Sequence, residues 1–194
     1  VLTHDCWKPY DSYDNCTHSL CNAHFLRELN GIDEKNDFEF PKIIKKTLLE
    51  MKSLVDKESP IADEIKENLI SRYKLELSNG SAEELKENPI LPKTKGQRGK
   101  RKQSKAKNLL LRLERTSEVL GFFIMPEIIP FDNNLAERDI RMVKVKQKVS
   151  GLHRSNQGAK QFCRIRGYIS TISKNNLSIW DAIKSIFIGN PIMP

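Results

Sequence analysis

Apolar positions in this chain recur mostly every three or four residues, the spacing of one helix face. Two short exceptions open it. Val1 to Thr3 reads as the end of an apolar strand, and Thr17-His18-Ser19-Leu20-Cys21 as a second strand. Asn22 is placed to cap a helix through Ala23, Phe25, Leu26 and Leu29 that stops near Gly31. Pro41 then suits a helix start, with Ile43, Ile44, Leu48, Met51, Leu54 and Val55 as its apolar stripe. A further helix is expected from Pro60 to about Leu77, ended by Asn79-Gly80, with Ser81 and Glu84 capping a short third one. Pro89 and Pro92 break the pattern. A helix from about Ser104 to Leu120 carries Leu109, Leu110, Leu113 and Leu120. After the loop Met125–Pro130, the pattern predicts a helix from Asn134 to about Val149, with Ala136, Ile140 and Val143, flanked by Leu135 and Met142, toward a core. The next runs from Asn156 to Lys174, with Phe162, Ile165, Ile169 and Ile172 inward. A last helix starts at Ser178 and carries Ile179, Ile183, Ile186 and Phe187, before Gly189 and Pro191 end it. The fold class expected is α/β, dominated by helices.

Charge divides the chain. Of its 33 Lys+Arg and 25 Asp+Glu, residues 1–92 hold 12 and 18, a net of −6, and residues 93–194 hold 21 and 7, a net of +14. Eight cations and no acid lie between Lys93 and Lys107. Nine cations and a single acid, Asp139, lie between Arg138 and Arg166. Such clustering points to a polyanion partner, most simply nucleic acid. The first cluster reads as a mobile linker, and the second, on periodic helices, as a phosphate-contacting surface. No apolar run approaches the roughly 20 residues of a membrane span. The chain opens without Met, which marks a processed start or a cut through a longer protein.

The segment with the most chemistry is Asp132-Asn133-Asn134-Leu135-Ala136-Glu137-Arg138. Positions 137, 141, 144 and 148 fall at i, i+4, i+7 and i+11, so Glu137, Arg141, Lys144 and Lys148 share one helix side. A lone carboxylate beside a basic stripe suits a metal held next to a polyanion. It equally suits a capping box between Asn134 and Glu137. Near the N-terminus, Cys16-x4-Cys21-x2-His24 raises the question of zinc. The spacing is loose, and free thiols with a hydrogen-bonded His24 are the favoured reading. Four cysteines, Cys6, Cys16, Cys21 and Cys163, are too few for a dense disulfide framework, which points to a reducing, cytoplasmic home.

Three segments together resemble one family. His4-Asp5-Cys6-Trp7-Lys8-Pro9-Tyr10 is similar to the region of the second catalytic aspartate in the insertion sequence 66 transposases. Cys21-Asn22-Ala23-His24-Phe25-Leu26-Arg27-Glu28-Leu29 resembles the Cys-x2-His helix that follows it. Asp132 to Arg138 resembles the catalytic glutamate motif, and Lys144 to Gly151 and the tail also fit. The resemblance implies a DDE-type catalytic domain with an RNase H-like core and a large helical insertion. It divides the chain into residues 1–32 (second aspartate and Cys-x2-His helix), 33–125 (insertion, with the basic linker 93–107) and 126–194 (glutamate helix and C-terminal helices).

By the same resemblance, Asp5 and Glu137 are two of three carboxylates that hold two Mg²⁺ or Mn²⁺ ions about 3.5–4 Å apart. Carboxylates are needed because Mg²⁺ takes hard oxygen ligands. Arg138, Arg141, Lys144, Lys146 and Lys148 then neutralise DNA phosphates, while Cys21, His24, Asp132, Asn133 and Asn134 support the site. Asp132 is read as orienting the loop, His24 as supporting the core, and Trp7 as packing. The first aspartate is expected upstream of Val1, leaving an incomplete core and a chain inactive by itself. The implied activity is metal-dependent cleavage and strand transfer at the ends of a mobile genetic element. The implied partners are the insertion-sequence ends, target DNA and, in the intact enzyme, further copies of the chain. A bacterial, nucleoid-associated location goes with this. The alternative is a non-catalytic, DNA-binding remnant.

Overall fold

The computed structural model describes residues 1–57, 60–89 and 103–193. They form two compact units, Val1–Asn133 and Asn134–Pro194.

The first unit opens with strand β1 (Leu2–His4), a 3-10 turn (Lys8–Ser12) and strand β2 (His18–Leu20). The strands pair in parallel, with Leu2 opposite His18 and His4 opposite Leu20. Helix α1 (Asn22–Asp33) follows at once, then α2 (Phe40–Lys57), α3 (Asp63–Glu87), α4 (Lys105–Leu113) and two single turns, α5 (Thr116–Val119) and α6 (Gly121–Ile124). Their apolar faces meet in one core. Leu20, Phe25, Leu29, Ile44, Leu48, Met51, Tyr73, Leu109, Leu110, Leu113, Phe122 and Phe123 are all essentially inaccessible. The long-range leucine pattern is therefore a packing pattern, as its spacing predicts.

Several local expectations fail here, each for a tertiary reason. Asn22 does not cap α1. It is the helix's first residue, and its buried amide donates to Val119 O at 2.8 Å, tying β2 and α1 to α5. Ile43 is 44% exposed, outside the α2 stripe that Ile44, Leu48 and Met51 bury. Asn79-Gly80 does not end a helix, because α3 runs through it for 25 residues. A Cβ at Gly80 would lie 2.7 Å from Phe40 Cβ and 3.3 Å from Leu110 Cδ2. The glycine serves the close crossing of α3 with α2 and α4, and packing outweighs its poor helix propensity. Glu84 caps no third helix. It is buried and accepts Ser104 Oγ at 2.6 Å, while Ser104 caps α4 by accepting Lys107 N–H at 2.9 Å. The helix expected from Ser104 to Leu120 is broken at Glu114 and Arg115. Residues 93–102 of the basic linker, and Pro92, lie outside the described residues.

The second unit is α7 (Asn134–Ser150), α8 (Asn156–Lys174) and α9 (Ile179–Phe187). Ser155 accepts Gly158 N–H at 3.1 Å and Ser178 accepts Asp181 N–H at 3.3 Å, so both caps are built by serine side chains. The inward stripes expected here are only partly inward. Among its described residues only Ile172 and Ala182 are buried hydrophobics. In α7, Met142 and Val143 are half-buried as expected, but Ala136 is exposed, Leu135 and Ile140 are 54% and 56% exposed, and Asp139 and Lys146 are half-buried beside Val143. In α8, Ile165 is 61% exposed, and in α9 Phe187 is 87% exposed. The reason is a register fixed by polar contacts. Asp139 accepts Ser170 Oγ at 2.6 Å and Lys174 Nζ at 2.5 Å, which sets the faces that α7 and α8 turn to each other.

Candidate functional site

Asp5 leaves the C-terminal end of β1, where parallel strands deliver functional side chains. Its Oδ1 accepts the amide of Trp7 at 3.0 Å, fixing the turn into the 3-10 segment. Its backbone carbonyl is held by His4 Nδ1. His4 is buried, and its Nε2 lies 2.9 Å from His18 Nδ1, while His18 Nε2 lies 3.0 Å from Tyr13 O. Both outer partners are carbonyls, which only accept, so both outer nitrogens donate. Tyr10 stacks at 4.8 Å from the His4 ring. Two strand histidines thus hold the backbone under Asp5, a role invisible in the sequence because their pairing depends on strand register.

A second support lies beneath. Cys6, next to Asp5, is half-buried, and burial pushes its thiol above the usual range while Arg112 opposes this. Arg112 grips Glu28 with both terminal nitrogens, one at 2.8 Å. Arg115 binds Asp11 at 3.0 Å and Glu118 at 2.5 Å. Asp11 is therefore an anchor for the 3-10 turn, and α4 and the break that follows it supply arginines to the segment around Asp5. Trp7 corrects the reading of it as packing. It is 62% exposed, touching Tyr10 edge-on at 5.6 Å, because the turn after Asp5 sends its side chain outward.

The Cys-x2-His segment and the start of the glutamate motif meet directly. Cys21 is buried and its Sγ accepts Asn133 N–H at 3.4 Å, while Asn22 N–H donates to Phe131 O at 3.0 Å. So residues 131–133 are sewn onto the β2–α1 junction. Cys16 serves elsewhere, donating to Tyr13 O at 3.4 Å. His24 stands half-buried in the first turn of α1. Among the described residues no three His, Cys, Asp or Glu side chains are grouped to hold a metal ion, zinc included.

Glu137 sits half-buried in the first turn of α7. Arg138, Arg141, Lys144 and Lys148 are exposed, and Lys146 is half-buried toward the side of Asp139. The hydrogen bonds from Lys174 and Ser170 hold the Asp139 carboxyl below its ordinary range. The single acid of the basic stretch is thus a helix-pairing residue. Ser170 and Lys174, four apart on α8, were the signal for it. As donors, Asp5 and Glu137 offer hard carboxylate oxygens of the kind Mg²⁺ requires. Asp5 lies in the first unit and Glu137 in the second.

Among the described residues no helix is long and apolar enough to cross a membrane. No curated protein and no solved structure matches the chain. A family model, Transposase IS66 family, matches residues 1–161, spanning β1, helices α1 to α7 with Glu137, and the start of α8. That match, over most of the chain, makes this protein a member of the IS66 family of transposases.

Proposed function

We propose that this chain carries part of the catalytic centre and the DNA-contacting face of an IS66-family transposase. The reaction is metal-dependent cleavage and transfer of DNA strands at insertion-sequence ends, on an RNase H-like core. The observation that carries this reading is the family match running through both Asp5 and Glu137. Asp5 is a positioned carboxylate, tied by Trp7 N–H and braced through His4, at the end of a parallel strand. Glu137 opens a helix whose exposed side is basic. Together they would supply two of the carboxylates for divalent cations, which when bound activate the attacking oxygen and stabilise the leaving one. Arg138, Arg141, Lys144 and Lys148 would neutralise the phosphates nearby, and Lys146 would contribute from the flank. His24, Asp132 and Asn134, with Cys21 and Asn133, support the junction between the two motifs.

A second reading, DNA binding without catalysis, rests on the exposed cations of α7, Arg138, Arg141, Lys144 and Lys148, which need no metal to meet phosphate. The two readings separate on Glu137→Gln. Catalysis predicts that Mg²⁺ or Mn²⁺ binding, followed by titration calorimetry, is lost in Glu137→Gln while duplex affinity is kept. In the binding-only reading Glu137→Gln changes neither quantity, and the affinity still falls steeply with salt. Replacing Arg141, Lys144 and Lys148 by Ala should flatten the slope of log K against log salt by about 2.7, at about 0.9 per phosphate contact. An unchanged slope would remove α7 from the DNA interface.

A further inference from the structure

We infer that the outward face of α8 is a second binding surface for the sugar-phosphate backbone of duplex DNA. The inference rests on the reading of this chain as a DNA-contacting transposase but concerns a different helix. On a wheel of 100° per residue, Gln157, Lys160, Cys163, Arg164, Gly167 and Thr171 fall within one arc, and all six are exposed. No acid occurs anywhere in Asn156–Lys174. The other cation at the edge of this arc, Lys174, is engaged by Asp139. Lys160 and Arg164 form no ion pair among the described residues, so two adjacent cations stand uncompensated on the arc.

Gly167 gives the face its shape. Its φ is not in the left-handed region, and a Cβ built on it meets nothing within 4 Å. Neither backbone conformation nor internal packing calls for glycine there, although glycine is the poorest helix former after proline. Its carbonyl also accepts Thr171 Oγ1 at 2.9 Å. What the missing side chain provides is a shallow saddle one turn from Arg164, where an outside chain can come close to the helix backbone. Arg164 can fork onto a phosphate, Lys160 can meet the next as a point charge, and the Gln157 amide can donate alongside them near the positive end of the helix. A second copy meeting this face about a two-fold axis fits poorly, because its own Lys160 and Arg164 would face the first pair.

Duplex binding by the whole chain, read by fluorescence anisotropy across a salt series, tests this. Lys160→Ala with Arg164→Ala should weaken binding and flatten the log–log salt slope by about 1.8, the sum for two phosphate contacts. Gly167→Ala should weaken binding by about fivefold, the weight of one polar contact, without lowering the melting temperature. Cys163 supplies an independent readout. It is exposed, whereas Cys21 is buried and Cys6 and Cys16 are partly so. Saturating duplex should slow its alkylation by iodoacetamide, followed residue by residue by mass spectrometry. Unchanged affinity and slope in the double variant, or equal Cys163 labelling with and without DNA, would overturn the α8 surface. If the α7 variant loses DNA and the α8 variant does not, the α8 surface falls and the transposase reading stands. If neither variant loses DNA, both fall. A change in sedimentation without a change in DNA affinity would give the face to a protein partner and also overturn the inference.

Discussion

The two units are built on different physics. Val1–Asn133 wraps its helices around one apolar core, in which more than a dozen large side chains are cut off from solvent. In Asn134–Pro194 only Ile172 and Ala182 are buried hydrophobics among the described residues, and Trp180, Phe187 and Ile188 are largely exposed. Its order comes from directed polar contacts. Serine caps start α8 and α9, Asp139 clasps Ser170 and Lys174, and Tyr168 donates to Ile192 O at 2.8 Å. Apolar burial is the larger and less conditional term, while exposed ion pairs and hydrogen bonds each contribute about 1 kcal/mol or less and weaken with salt. The first unit, with 22 Lys+Arg against 22 Asp+Glu, is thus the scaffold, and the second, with 11 against 3, is a polar-bonded set of helices that keeps most of its cations outward. A surface meant to meet a polyanion gains from that arrangement, since cations buried in a core would be lost to phosphate.

The largest effect that would separate the two should come from the core. Leu110→Ala removes a fully buried side chain where α4 meets α3 and should cost about 2–5 kcal/mol of unfolding free energy. Denaturant unfolding monitored by circular dichroism gives the value. A cost near zero would mean that the leucine stripe is not the scaffold's core. Next in size is Gly80→Ala, which places a methyl 2.7 Å from Phe40 Cβ and should cost about 1–3 kcal/mol through overpacking, despite alanine's better helix propensity. A stabilised Gly80→Ala variant would show that α2 and α3 can part at no cost. The contrast with Gly167 is the instructive one. Both glycines lie inside helices, but only Gly80 is explained by its neighbours in the chain, so the same substitution should destabilise at one site and not at the other.

What could be read from the sequence follows the same division. The stripes of α2 and α4 were legible at Ile44, Leu48, Met51, Leu109, Leu110 and Leu113, because a wide apolar stripe has a single way to be buried. Local punctuation was less faithful. Asn79-Gly80 and the Ser81–Glu84 spacing look like a helix end and a new cap, yet a tight helix crossing and a buried link to Ser104 use the same residues differently. In the second unit the apolar stripes were right at Met142, Val143, Phe162, Ile169 and Ile172 and wrong at Leu135, Ile140 and Ile165, since Asp139 with its α8 partners fixes the register and sequence spacing within α7 cannot show a partner on another helix. At the candidate site, the family motifs named Asp5 and Glu137 directly. The His4–His18 pair, Arg112 with Glu28, and Arg115 with Asp11 were hidden, because each joins segments whose neighbourhood exists only after folding.

The smallest effect is also the sharpest test of the comparison, because acid should act on the two units with opposite sign. Lys174 and Ser170 hold the Asp139 carboxyl below its ordinary value. A carboxyl lowered in the folded state stabilises above the unfolded value, about 3.9, and that stabilisation is lost as pH falls through the folded value. In the scaffold, burial outweighs Thr47 and Arg72 and raises the Glu76 carboxyl. A raised carboxyl contributes stability below its unfolded value that is lost as pH rises through the folded one. Between pH 5 and 3, then, Asp139 withdraws support from α7 and α8 while Glu76 adds support to α3. Amide hydrogen exchange should show protection falling in Asn134–Ser150 and Asn156–Lys174 before it falls in Asp63–Glu87. Asp139→Asn should remove that acid-dependent loss in α7 and α8, and added salt should shrink it, because the pair is solvent-exposed. If α7 and α8 keep their protection to pH 3 in the wild-type chain, the Asp139 clasp is not what orders the second unit, and the exposed apolar positions of α7 and α9 must be covered by something else.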